Sequence, residues 1–145
     1  MKYYLLLLLF LIASCSNFSR HVNYSKSVNE SINMIERDNA QNALVILSSA
    51  IIKCPDSARA YKYRGYCYYL LNNFDNALTD LKKALVIDSN DKEVHLYKYK
   101  VDLRMADYEA QLIDLSNVIR IDPNNILALN SRGLLFYDFD KYELT

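Results

Sequence analysis

Residues 57–91 read SARAYKYRGYCYYLLNNFDNALTDLKKALVIDSND, and they decide the fold. Two segments with helical periodicity meet at Asn72-Asn73, a pair suited to ending one helix and capping the next. In the first, Tyr61, Arg64-Gly65, Tyr68 and Leu71 recur at three- and four-residue steps. In the second, Ala77, Leu78, Leu81, Ala84, Leu85 and Ile87 do the same. Each segment is too short to hold as a lone helix in water, so the two must pack on each other. Gly65 on one and Ala77 and Ala84 on the other let the backbones approach closely. The stretch is a helical hairpin.

The hairpin is copied along the chain. The two glycines, Gly65 and Gly133, lie 68 residues apart, and so do the two prolines, Pro55 and Pro123. Half of that interval, 34 residues, aligns the rest. Phe74 falls on Tyr108 and then on Tyr142, Asp80-Leu81 on Asp114-Leu115, and Ile87-Asp88 on Ile121-Asp122. Backwards, Ala77, Leu81 and Ala84 fall on Ala43, Leu47 and Ala50.

Two helices in a period of 34 residues resemble the tetratricopeptide repeat family. Tyr61, Gly65 and Tyr68 stand for that family's helix-A aromatic, glycine and tyrosine, and Ala77, Leu81 and Ala84 for its helix-B positions. Arg64 replaces the expected leucine and Ser89 the expected proline. The unit at 24–57 matches through Ala43, Leu47, Ala50 and Pro55, with Ser31 as its small residue. The unit at 92–125 departs most, with Tyr99, Asp102 and Gln111 where glycine, tyrosine and alanine are usual. The last, at 126–145, keeps Arg132-Gly133 and Phe136. The resemblance implies an all-α, α-α superhelix of about three and a half hairpins over residues 24–145.

Ahead of the array lies MKYYLLLLLFLIAS, one lysine and then an apolar run from Tyr3 to Ala13. That run is shorter than the ~20 residues that span a bilayer, and it fits a signal-peptide core over 1–14. Ile12-Ala13-Ser14-Cys15 resembles the lipobox of bacterial lipoproteins. The resemblance implies cleavage before Cys15, acylation of its thiol, and anchoring to the cell envelope. Ser16 is not the aspartate associated with inner-membrane retention, so an outer-membrane address is preferred where there are two membranes. The bland alternative is an ordinary secretory signal cut near Ser14. Residues 15–23 then form the lipidated cysteine and its polar tether.

The 17 basic and 17 acidic side chains cancel, which argues against a nucleic-acid partner. Cys54 ends one helix and Cys67 lies some ten residues into the next, too far along the axis for a disulfide. Two free, largely buried thiols are expected. His95 takes the position of Tyr61 and is expected to be a half-buried packing residue. No Cys/His spacing suggests a metal, and no set of residues suggests catalysis or a cofactor. The last helix carries Leu127, Leu129, Leu134, Leu135, Phe136, Tyr137 and Phe139, apolar nearly all round, and Asp140-Lys141-Tyr142-Glu143-Leu144 resembles the start of a helix B. Either the sequence is the N-terminal part of a longer array, or a partner covers that face, with self-association as one route.

In the family that the chain resembles, A helices line the concave side. Off-packing positions there are Val28, Ile32 and Ile35; Arg59, Lys62, Tyr63, Tyr66 and Tyr69; Glu93, Leu96, Tyr97, Lys100 and Arg104; and Asn130, Leu134 and Tyr137. Residues 58–71 hold three bases and no acid, whereas 75–91 hold two bases and four acids. Residues 92–105 repeat the bias with four against two, and 106–122 reverse it with one against four. A basic, tyrosine-rich groove and an acidic outer surface are expected. Arg59, Lys62, Tyr63, Tyr66, Tyr69, Tyr97, Lys100, Arg104, Asn130 and Tyr137 are the candidate partner-binding residues, whereas Tyr61 and Tyr68 fill gaps between helices. The reading is a scaffold that binds a peptide or acidic segment of another envelope protein, with no enzymatic activity. A glycan-binding lipoprotein is the competing class. The family's carboxylate-clamp pattern of paired lysine and asparagine is not reproduced, so the resemblance does not imply binding of chaperone tails.

Overall fold

In the computed structural model, residues 24–143 are described, with side-chain surroundings through residue 138. They form seven helices and, among these residues, no strand: α1 (24–36), α2 (Ala40–Lys53), α3 (Ala58–Leu70), α4 (Phe74–Ile87), α5 (Lys92–Met105), α6 (Tyr108–Ile121) and α7 (Ile126–Glu143). From α2 onward each helix packs on the next, and α3 also touches α5, one full repeat away. The Cys15 lipobox, the tether and the apolar leader lie outside the described residues.

The 34-residue register is written in the backbone as well as in the side chains. Each A-to-B turn passes through one left-handed residue, Asp38, Asn72 and Ala106, with φ of 56°, 58° and 57°. Asparagine and aspartate tolerate that region, whereas alanine is strained in it. The helix starts are capped in the same register. Ser57, Asn73, Asp91 and Asp107 each accept a backbone N–H of the following first turn, as Asn125 does from Ala128.

Packing follows the same count. Ala43, Leu47 and Ala50 of α2, Ala77, Leu81 and Ala84 of α4, and Gln111, Leu115 and Val118 of α6 are all buried. Gly65 is where two backbones meet most closely. A Cβ there would stand 2.8 Å from Leu81 Cγ and 3.2 Å from the Ala77 carbonyl oxygen. Both cysteines are free, Cys67 is buried, and burial pushes its thiol up to about 12.

Three expectations need correction. Val28 does not face a groove: it is fully buried with Ala43, Leu47, Ala60 and Cys67, and Ile32 and Ile35 pack against that cluster. As the terminal A helix, α1 spends its few apolar residues on the core. His95 is buried, and its Nδ1 lies 2.9 Å from Asp114 Oδ1. Finally, no helix B begins near Asp140, because α7 runs unbroken to Glu143. Residues 134–143 hold no glycine or proline to interrupt the helix.

The unit at 92–125 keeps its shape with a polar seam. Asp114, 1 % exposed, accepts from Lys98 Nζ at 2.8 Å as well as facing His95. Burial works to raise its carboxyl, but the hydrogen bonds from His95 and Lys98 outweigh it and hold it below the usual range. Asp102, on the same face of α5, is 3 % exposed. Its Oδ2 and the Oε1 of Gln111 are buried without a partner, while Gln111 Nε2 donates to the Asp102 carbonyl at 3.3 Å. Burial, and then the neighbouring Asp114 carboxylate, pushes the Asp102 carboxyl up to about 7. A proton there turns one orphaned acceptor into a donor.

This has a definite sign with pH. The unfolded chain releases the Asp102 proton near the ordinary ~4, the folded chain near 7, so stability falls as pH rises between those values. In urea unfolding at pH 5 and pH 8, the wild type should lose about 2 kcal/mol more than Asp102→Asn, in which that charge never forms. Equal losses in the two proteins would show that Asp102 ionises freely in the folded state.

Candidate functional site

The α3–α5 contact builds a compact seam of rings and cations. Tyr66 of α3 and Tyr97 of α5 stack with centroids 4.3 Å apart and planes 10° from parallel. Tyr69, one turn along α3, continues the row at 6.0 Å from Tyr66. Lys100 lies over both members of the first pair, its Nζ 5.5 Å from the Tyr66 centroid and 5.6 Å from that of Tyr97. Arg104, one turn on, sits 5.6 Å over the Phe74 ring and donates to Asn72 Oδ1 at 3.4 Å. Helical spacing explains the alignment: Tyr66 and Tyr69 share one stripe of α3, and Tyr97, Lys100 and Arg104 one stripe of α5. Burial raises the phenol of Tyr97 above its ordinary value, and that of Tyr66 as well, so both stay neutral hydroxyls.

The charge in this seam is narrower than a residue count gives. Lys62 Nζ is held by Asp91 at 2.8 Å, the last residue of its own unit, and by Glu93 at 2.7 Å in the next. Burial works to lower its pKa, but those two carboxylates outweigh it and raise it. Lys62 is therefore a tie between units. Arg59 donates to Asn29 Oδ1 at 2.8 Å and lies 5.9 Å from the Tyr63 ring. Among the described residues no ion pair engages Arg59, Lys100 or Arg104. These carry the positive potential left for a ligand, and Lys100 and Arg104 stand together. Nor, among the described residues, do three His, Cys, Asp or Glu side chains gather to hold a metal ion.

Residues 58–91 match the tetratricopeptide repeat family. The Arabidopsis OM64 TPR domain superposes with a TM-score of 0.75 at 18% identity, over 80% of this chain and 96% of that one. The first TPR of Spaghetti (RPAP3), solved bound to an HSP90 peptide SRMEEVD, gives 0.76 at 14% identity, over 81% and 93%. The fold is a tetratricopeptide-repeat solenoid. In sequence, a protein SGT1 homolog of Bos taurus is 37% identical over 79 residues, 54% of this chain and 23% of that protein. The solenoid spans less than a quarter of the length of the first curated relatives it matches.

Within the solenoid, the candidate residues divide into three groups. Tyr66, Tyr69, Tyr97, Lys100 and Arg104 come together in the α3–α5 seam, and Arg59, Lys62 and Tyr63 lie toward its α1 end, with Lys62 Nζ 5.2 Å from the Tyr63 ring. Asn130 and Tyr137 are exposed on α7, apart from that cluster, and Leu134 is exposed beside them. Tyr61 and Tyr68 pack against the core that contains Leu81.

Sequence reasoning missed what Arg64 does. It does not merely stand in for a leucine. Its Nε and Nη2 donate to Asp80 Oδ2 and Oδ1 at 2.6 and 2.8 Å, with the guanidinium between Tyr61 and Tyr68 at 5.7 and 6.0 Å. The next unit repeats the pairing as Lys98 with Asp114, and a base 16 residues before an acid, recurring at 34, was the available signal.

Proposed function

We propose that the chain is a non-catalytic interaction scaffold that holds an extended acidic segment of a partner protein across the α3–α5 seam. The observation that carries this reading is Lys100 poised over the Tyr66–Tyr97 stack without a carboxylate among the described residues. The rings supply rigid apolar area at low entropic cost, and Lys100 and Arg104 offer two cations one turn apart for carboxylates. The neighbour solved with SRMEEVD holds a peptide with two glutamates and an aspartate, which fits the same chemistry. A neutral glycan is less well served, because it would make no use of the cations Lys100 and Arg104, and one face each of Tyr66 and Tyr97 is already taken by their mutual stack.

Labelled SRMEEVD and its carboxamide counterpart SRMQQVN, which lacks the three side-chain carboxylates, are suitable probes. The acidic peptide should bind more tightly, weaken with added salt, and lose about tenfold in affinity on Lys100→Ala. Equal binding of both peptides, or indifference to Lys100→Ala, would remove the electrostatic reading.

The place of action in this proposal is a bacterial cell envelope, with Cys15 lipid-anchored, outer membrane preferred where there are two, and the partner another envelope protein. Its support is the Ile12-Ala13-Ser14-Cys15 sequence at the end of the apolar run. Two or three acyl chains, at about 0.8 kcal/mol per buried CH₂, make such an anchor effectively permanent. Cys15→Ala is expected to abolish acyl labelling and release the protein from membranes; retention in the membrane fraction would contradict it.

A further inference from the structure

The base–acid contact between an A helix and its own B helix occurs in two consecutive units, with different side chains flanking it. In the unit at 58–91, Asp80 of α4 grips Arg64 through both carboxylate oxygens, and the guanidinium lies between the rings of Tyr61 and Tyr68. One repeat later, Asp114 of α6 binds Lys98, and the two flanking tyrosines are replaced by His95 and Asp102. Two phenol rings have become an imidazole and a carboxyl, and both are buried.

The exchange leaves acceptors without donors. Asp102 Oδ2 and Gln111 Oε1 are buried and unpartnered, while Gln111 Nε2 is spent on the Asp102 backbone carbonyl. The Asp102 carboxyl faces that of Asp114, whose oxygens already engage Lys98 and His95. Asp107, in the turn between α5 and α6, adds a further negative charge nearby. Lys98 is the cation that opposes them, and its ammonium is bonded to Asp114. The core clusters that join α4 to α5 and α7 to α6 are apolar. An ionised Asp102 therefore stands buried beside a second carboxylate with no donor on Oδ2. A protonated Asp102 is itself the missing donor.

We infer that Asp102 is a proton-operated latch on the α5–α6 contact: with its proton it closes that contact, and without it the contact opens locally and loosens the α5 half of the ring-and-cation seam. The relay is short. Asp102 lies between Lys100 and Arg104 in the chain, on the helix that also carries Tyr97, so whatever loosens α5 loosens its share of the stack with Tyr66. The unit at 58–91 lacks the latch, because Tyr68 stands where Asp102 does, and it serves as the internal control. The consequence for a bound peptide rests on the function proposed above; the latch itself does not.

Amide hydrogen exchange of the full chain at pH 6 and pH 8, corrected for intrinsic rates, tests the latch. The opening constant of α5 and α6 amides should rise about tenfold between the two, because the carboxyl releases its proton at about 7 when closed and near the ordinary ~4 when open. Amides of α3 and α4 should change by less than about twofold. Asp102→Asn should abolish the rise, and His95→Gln should leave it in place. The inference is overturned if α5 and α6 open equally at both pH values, if Asp102→Asn keeps the rise, or if α3 and α4 open in parallel. It is also overturned if His95→Gln abolishes the rise, which would make the imidazole the sensor. SRMEEVD at ten times its Kd should lower α5–α6 opening about tenfold. No such protection, with the pH response intact, would remove the peptide reading and leave the latch standing.

Discussion

Gly65→Leu is expected to destabilise the folded chain by about 3 kcal/mol, read as a fall in the urea midpoint. The first atom of the new side chain already stands 2.8 Å from Leu81 Cγ. Close packing leaves no neighbouring void to absorb it, since Leu81, Ala77 and Ala84 are all fully buried. The hairpin must spread, and spreading exposes the core that joins α3, α4 and α5. Gly133→Leu, at the same repeat position, should be neutral or slightly stabilising, because it relieves the entropy penalty of a helical glycine without a clash. The contrast separates a packing effect from helix propensity. Similar losses at the two glycines would mean that Gly65 is not a point of close helix approach.

The second large effect is at Asp114. Replacing it by alanine removes the carboxylate that Lys98 is bonded to and leaves the protonated Asp102 carboxyl as the remaining acid in the seam, and a loss of about 3 kcal/mol is expected. The loss belongs mostly to the stranded cation. Asp114→Leu combined with Lys98→Met should therefore recover much of it. A single-variant loss below about 0.5 kcal/mol would put water in that seam. The same logic applies more weakly to Arg64 and Asp80, whose guanidinium is partly exposed and stacked between two tyrosines.

How much of this was legible beforehand follows from what a sequence encodes locally. The 34-residue register was plain in Gly65 and Gly133, and in Ala77, Leu81 and Ala84, because close packing admits few residue types at those positions. The tyrosines of α3 and α5 could be placed on one side of the array only through the family resemblance, and that Tyr66 and Tyr97 stack on each other emerged from the structure. What escaped was pairing across helices. Lys62 counts as a groove cation in sequence, yet Asp91 at the end of its own unit and Glu93 of the following one absorb its charge. His95 looked like a packing substitute for tyrosine, yet it belongs to a buried charge cluster with Asp114 and Lys98. Both pairings depend on side chains roughly 20 to 30 positions apart meeting in space. The continuous α7 was hidden for a different reason: residues 140–144 read locally like the start of a second helix, yet α7 runs through them to Glu143.

The most direct test of the proposed function is a ¹⁵N-labelled sample titrated with SRMEEVD, following each amide. The predicted result is a contiguous set of shifts at Tyr66, Tyr69, Tyr97, Lys100 and Arg104, with the exposed Val86 of α4 and Ile113 of α6 unmoved. Shifts confined to α4 and α6, or none at saturating peptide, would contradict a ligand seam between the A helices.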